Sequence, residues 1–190
     1  MIRRVFALAA CALVLAGCAT TSAPLSQAPV AAYRDTVSLA GSLSVNYQKD
    51  GKPESITGKF SWQQTPGRVD VSLASPLGQT LATISVTPEA ATLTQAERAP
   101  RVAKDLDTLT RDALGWSLPV SGLRDWLQSY ATGADGKRFI ASPANNTVLT
   151  QDGWRLRFVT WQDDGAAVPQ PKRIDADREE LAIRFAIQAQ

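Results

Sequence analysis

The chain has 190 residues, with 20 Lys and Arg against 18 Asp and Glu, no His, and a hydrophobic share of 44%. The missing His excludes Ser-His-Asp catalysis, His-ligated metals and imidazole proton transfer. A formal charge of +2 excludes a polybasic nucleic-acid protein and an acidic tail.

In chain order, Arg3 and Arg4 precede an apolar run from Val5 to Leu15, which ends in Leu15-Ala16-Gly17-Cys18. A basic start, a run too short to span a bilayer and small residues before a cut make residues 1–17 an export signal. The tetrad is the lipobox of bacterial lipoproteins, so Cys18 is expected to carry diacylglycerol on its thiol and a third acyl chain on its new amine. Cleavage there removes Cys11, Arg3 and Arg4, leaving a formally neutral chain with no thiol for a disulfide or a metal. Ala19 follows Cys18 where an Asp would retain the protein in the inner membrane; similarity to sorted lipoproteins implies the outer membrane, facing the periplasm. Residues 18–32, rich in Ala, Ser, Thr and Pro, are predicted to be the lipidated Cys and a flexible tether spanning at most about 46 Å. Residues 33–190 form the domain.

The domain starts as strands. Leu39, Leu43, Val45 and Tyr47 share one parity, and after the turn-rich Lys49 to Pro53, Ile56, Gly58, Phe60 and Trp62 alternate with polar residues. Thr65-Pro66-Gly67 turns the chain into a hairpin in which Val69, Val71 and Leu73, then Ala82, Ile84 and Val86, form the buried sides. Its turn, Ser75-Pro76-Leu77-Gly78, has the residue order of a type I turn. Leu77 near the tip is not needed for folding; it is available either to touch something apolar, such as membrane, or to fold back on a neighbouring loop. Ala91 to Gln95 is a short strand, and the first half reads as an antiparallel meander.

From Pro100 to Tyr130 the period changes. Val102, Leu106, Leu109 and Ala113 predict one helix ending at Gly115; Ser121 would cap a second, with Leu123, Trp126, Leu127 and Tyr130 on one face. Strands then resume with Thr147–Thr150, the Asp152-Gly153 turn, and Trp154, Leu156 and Phe158 in alternation; Arg173–Ala176 and Leu181–Ile187 complete the set. The expected fold is mainly β (α+β): an antiparallel sheet long enough to curl, with two short helices able to cap its concave side and make an apolar cavity. Trp62, Trp126 and Trp154, at apolar-face positions, either wall that cavity or fill a plain core. The carboxylates, including Asp175 and Asp177, are expected to be solvated among Lys and Arg. No nucleotide, cofactor or catalytic motif occurs, so no cofactor and no enzyme activity are expected.

Several pieces together resemble the LolB family of outer-membrane lipoprotein receptors: the lipobox ending in Cys18, Phe60-Ser61-Trp62-Gln63-Gln64, Ser75-Pro76-Leu77-Gly78, Leu123-Arg124-Asp125-Trp126-Leu127 and Asp152-Gly153-Trp154. The resemblance implies a strongly curved antiparallel sheet forming an unclosed barrel, with short helices covering an apolar cavity, and a receptor that takes triacylated lipoprotein cargo from the periplasmic carrier LolA and places it in the inner leaflet of the outer membrane. It further implies that Leu77 serves membrane insertion and that Trp62, Trp126 and Trp154 lie near the acyl-chain hollow. The implied partners are LolA, lipoprotein cargo and outer-membrane phospholipid, not nucleic acid, and the protein is expected to be a monomer. Ser129 departs from the pattern, standing where Gly is expected, and the last strand lacks an expected aromatic. The remaining readings are another lipid-binding lipoprotein or a structural outer-membrane lipoprotein.

Overall fold

The structure is a computed structural model that describes residues 25–104, 106–162 and 167–188. The signal over 1–17, Cys18 and the first part of the tether, as well as Asp105 and the Asp163-Asp164-Gly165 turn, lie outside the described residues.

Two long strands, β1 (Val37–Lys49) and β2 (Lys52–Thr65), pair along their whole length around the Asp50-Gly51 turn. The meander continues through β3 (Arg68–Ala74), β4 (Thr80–Val86), β5 (Ala91–Gln95) and β6 (Arg101–Ala103). Two helices follow, α1 (Leu106–Leu114) and α2 (Val120–Trp126). A small ribbon of β7 (Tyr130–Thr132) and β8 (Arg138–Ile140) stands apart, and β9 (Thr147–Leu149), β10 (Arg155–Trp161), β11 (Pro171–Arg178) and β12 (Leu181–Ile187) close the order.

Strand β12 returns to pair with β1, which joins the two halves of the chain into one ten-stranded antiparallel sheet ordered β6-β5-β4-β3-β2-β1-β12-β11-β10-β9. Its ends, β6 and β9, are not paired to each other, so the barrel stays open, as the family resemblance implies. Alternation also decides the faces. Val45, Phe60, Trp62, Val71, Ile84, Leu93, Leu156, Phe158, Ile174, Ile183 and Phe185 point to one side and join Leu109, Val120, Leu123 and Trp126 of the helices in one core. The helices thus cover the apolar face of the sheet.

Local details differ from the sequence expectation. Val102 is not helical: Arg101–Ala103 pairs with Ala91–Leu93 as an edge strand, and Val102 lies exposed. Its spacing from Leu106 fits a helix, but backbone pairing to β5 claims it first. Ser121 does not cap α2, which starts after Pro119 with no side-chain cap. Tyr130 belongs to β7, because Ser129 takes a left-handed backbone (φ 71°) and ends the helical turn there. A bulge in β10 between Phe158 and Trp161 shifts the parity, so that both face the core and stack at 6.3 Å.

Part of the segment read as a tether is docked. Val30 is buried, the Ala31 carbonyl accepts from the Tyr130 hydroxyl at 2.7 Å, and Arg34 exchanges backbone bonds with the Gln128 amide at 3.0 Å. Val30 and Tyr33 supply apolar area that the surrounding Ala, Ser and Pro residues do not, which is why this stretch binds the domain.

Candidate functional site

The β3–β4 hairpin ends in a rigid, apolar tip. The Gly78 amide donates to the Ser75 carbonyl at 2.9 Å, the Ser75 amide to the Gln79 carbonyl at 2.8 Å, and the Gln79 amide also reaches the Ser75 hydroxyl at 3.2 Å. Gly78 sits at φ 93°, the left-handed step that follows a type I turn in a hairpin and shifts the register at Ala74. Pro76 fixes one more dihedral. The turn leaves the Leu77 side chain 97% exposed, so of the two alternatives open for this residue, folding back onto a neighbouring loop is not what it does.

The tryptophans make the opposite arrangement. Trp62, Trp126 and Trp154 are 1%, 3% and 2% exposed. The Trp126 and Trp154 rings meet edge to face at 5.5 Å, joining α2 to the turn before β10. Gly122 makes that possible, since a Cβ there would collide with the Trp126 indole. Trp62 donates to the Gln64 amide oxygen at 3.3 Å, and Gln64 in turn donates to the Tyr33 hydroxyl at 3.0 Å. The guanidinium of Arg178 lies 4.5 Å over Trp154, and that of Arg138 lies 4.6 Å over Tyr130 and 5.3 Å over Tyr33.

Rings that walled an open hollow would keep accessible area on the hollow side; these do not. In this conformation the space between sheet and helices is filled by the protein's own side chains. An opening survives at the edge, a cleft of about 190 Å³ where Val30, Val37, Leu39, Leu127 and Ile187 meet. It is comparable to a cavity of about 150 Å³ that holds one benzene, far short of an acyl chain.

The sequence reading missed the polar clasp of Tyr33, Gln64, Tyr130 and Arg138, although Gln64, a polar residue on the buried parity of β2, was a visible signal. It also misplaced Asp175, which is not solvated but 1% exposed. Arg157 and Arg184 flank it on the adjacent strands and Arg173 stands two residues before it, at 3.1, 3.8 and 2.8 Å. Strand pairing, invisible in a linear reading, is what gathers the three cations around it. Among the described residues no cluster of acidic residues has the geometry to hold a metal ion.

An open antiparallel sheet with helices on its apolar face, and one bare leucine held out on a hairpin, defines an unclosed-barrel protein with an exposed apolar tip. The chain belongs to the family described as outer membrane lipoprotein LolB, whose family model matches residues 35–189. It is 42% identical over 152 residues to the outer-membrane lipoprotein LolB of Cupriavidus necator, covering 77% of this chain and 76% of that one. The protein of the same name from Chromobacterium violaceum is 35% identical over 191 residues, 100% of this chain and 99% of its own. A crystal structure of a LolA superfamily protein from Nitrosomonas europaea superposes with a TM-score of 0.43 and 8% identity, over 80% of this chain and 84% of that one.

Proposed function

We propose that this protein is an outer-membrane lipoprotein receptor that accepts acylated lipoproteins from the carrier LolA and inserts them into the inner leaflet of the outer membrane. Cys18 carries the acyl anchor, the domain faces the periplasm as a monomer, and no catalysis is involved. The observation that supports this most is Leu77: a large apolar side chain, 97% exposed, fixed on a turn that gains nothing in folding from it.

The energetics set what such a receptor must do. Exposing three acyl chains of about 45 methylenes to water costs on the order of 36 kcal/mol, so cargo passes from one apolar shelter to another in contact. In the receptor that shelter forms between sheet and helices, with Trp62, Trp126 and Trp154 as its walls once opened. The filled interior means that α2 and the docked segment around Val30 and Tyr33 move aside when cargo enters. They are held by buried apolar side chains, Val30, Val120, Leu123 and Trp126 among them, and by a few hydrogen bonds; acyl chains can take over the apolar contacts and water the polar ones. No nucleotide drives the step; delivery runs down an affinity gradient with the bilayer as sink.

Transfer from LolA to this protein tests the reading. A purified acylated lipoprotein bound to LolA is expected to move to this receptor on mixing and then into vesicles. Failure to accept it, or a preference for free phospholipid over the acylated protein, contradicts the proposal.

A further inference from the structure

The outer face of the sheet carries an asymmetry of charge beside the hairpin. Strand pairing aligns Thr147, Arg157, Asp175, Arg184, Ser44 and Thr57 in one row across six strands. The next row runs Thr160, Arg173, Ala186, Ser42, Lys59 and Ala74, and Ala74 is the last residue of β3 before the Ser75–Gly78 turn. Between Arg173 and Arg184 on one side and Lys59 on the other, small Ser42 and Ala186 leave a trough of about 360 Å³, bounded by Pro76.

Asp175 organises this face without neutralising it. Its buried carboxylate holds Arg173 through two bonds, at 2.8 and 2.9 Å, and Arg157 through one at 3.1 Å, while Arg184 stays looser at 3.8 Å. One carboxylate against three guanidinium groups leaves a surplus of positive charge, and the three side chains remain 56%, 42% and 49% exposed for Arg157, Arg173 and Arg184. Lys59 adds another cation across the trough. Guanidinium forks pre-aimed by a carboxylate and flanked by hydroxyls match the oxygens of a phosphate ester.

Depth decides which phosphate. Leu77 is three residues from Ala74, at most about 10 Å along the chain, and apolar side chains enter a bilayer surface by about 5–10 Å. Pro76, the residue next to Leu77, borders the same trough as Lys59, Arg173 and Arg184, so a bilayer that takes the tip brings its headgroup phosphates to the trough.

We propose that this trough binds the headgroup phosphates of anionic phospholipid and orients the domain on the bilayer while the tip inserts. The inference rests on reading Leu77 as a membrane contact. The hairpin then supplies apolar penetration, and the arginine face supplies the choice of lipid and the angle of approach.

The test is cosedimentation of the Cys18→Ala chain, exported behind a secretory signal so that no acyl anchor dominates, with two sets of vesicles: phosphatidylethanolamine and phosphatidylcholine, with and without phosphatidylglycerol. Basic residues at such a surface contribute about five-fold each in affinity, so phosphatidylglycerol is expected to strengthen binding about ten- to thirty-fold, an effect that fades with salt. The double variant Lys59→Gln/Arg184→Gln spares the bonds between Arg173 and Asp175 and is expected to lose that gain while binding the neutral vesicles as before. Leu77→Glu is expected to weaken binding to both sets.

Parent binding that ignores phosphatidylglycerol overturns the proposal, as does a double variant that keeps the gain or that loses affinity for neutral vesicles equally. Displacement from phosphatidylglycerol vesicles by inorganic phosphate at constant ionic strength would assign the trough to a soluble phosphate instead. A double variant that binds vesicles normally but takes cargo poorly from LolA would assign this face to a protein partner. If Leu77→Glu has no effect while the phosphatidylglycerol gain persists, the insertion reading fails and the headgroup site stands.

Discussion

The hairpin tip and the helical cover handle apolar side chains in opposite ways. At the tip, turn geometry holds one leucine in water; under the cover, three tryptophans are almost wholly removed from it. Removing a side chain from the core therefore changes stability, whereas removing Leu77 changes only what the protein can touch. The difference separates the part that folds from the part proposed to act at a boundary.

The largest expected break in this contrast is Trp126→Ala. Losing a buried indole that joins α2 to Trp154 costs about 3–5 kcal/mol, read as a lower denaturant midpoint in urea unfolding. Gly122→Ala comes next. Although alanine is the better helix former, its Cβ collides with the Trp126 ring, so overpacking is expected to cost about 1–3 kcal/mol; a neutral or raised midpoint would show that the indole has room to move.

Ser129→Gly runs the other way. Its backbone sits at φ 71°, and its hydroxyl is a buried side-chain group without a hydrogen-bond partner among the described residues. Glycine relieves both, with an expected gain of about 1 kcal/mol. The family resemblance expects glycine at this position, and the left-handed turn explains why.

The smallest expected effect belongs to Asp70. Its carboxyl is held below the ordinary carboxylate range, first by the hydrogen bond from Arg68. A carboxyl lowered in the folded state stabilises it above the unfolded pKa, and that contribution disappears as pH falls through the folded value. Asp70→Asn is expected to flatten slightly the acid limb of a stability profile and leave neutral pH almost unchanged, since the pair is exposed.

Much of this contrast is legible in the amino-acid order. Alternation around Phe60, Trp62, Val71, Leu156 and Phe158 reveals the strands and their buried sides, and Ser75-Pro76-Leu77-Gly78 reveals the tip. What the order hides is contact between distant segments. Arg101–Ala103 is a strand because β5 offers it a partner, Asp175 is buried because two neighbouring strands place arginines opposite it, and Val30 and Tyr33 dock because Leu127, just past α2, and Tyr130 of β7 receive them. The tryptophans are open to two readings in the sequence, wall or core; in this conformation they are packed as core, and the role proposed for them as walls requires the cover to lift.

Leu77→Glu separates the two regions most directly. Purified variant and parent are compared in one assay with two readouts: uptake of an acylated lipoprotein from LolA, then its appearance in liposomes. The expected result is an unchanged denaturant midpoint and near-parental uptake with delivery reduced at least about ten-fold, the loss from keeping one full apolar side chain out of the bilayer. Delivery at the parental rate would contradict the assignment of the exposed tip as the route into the membrane.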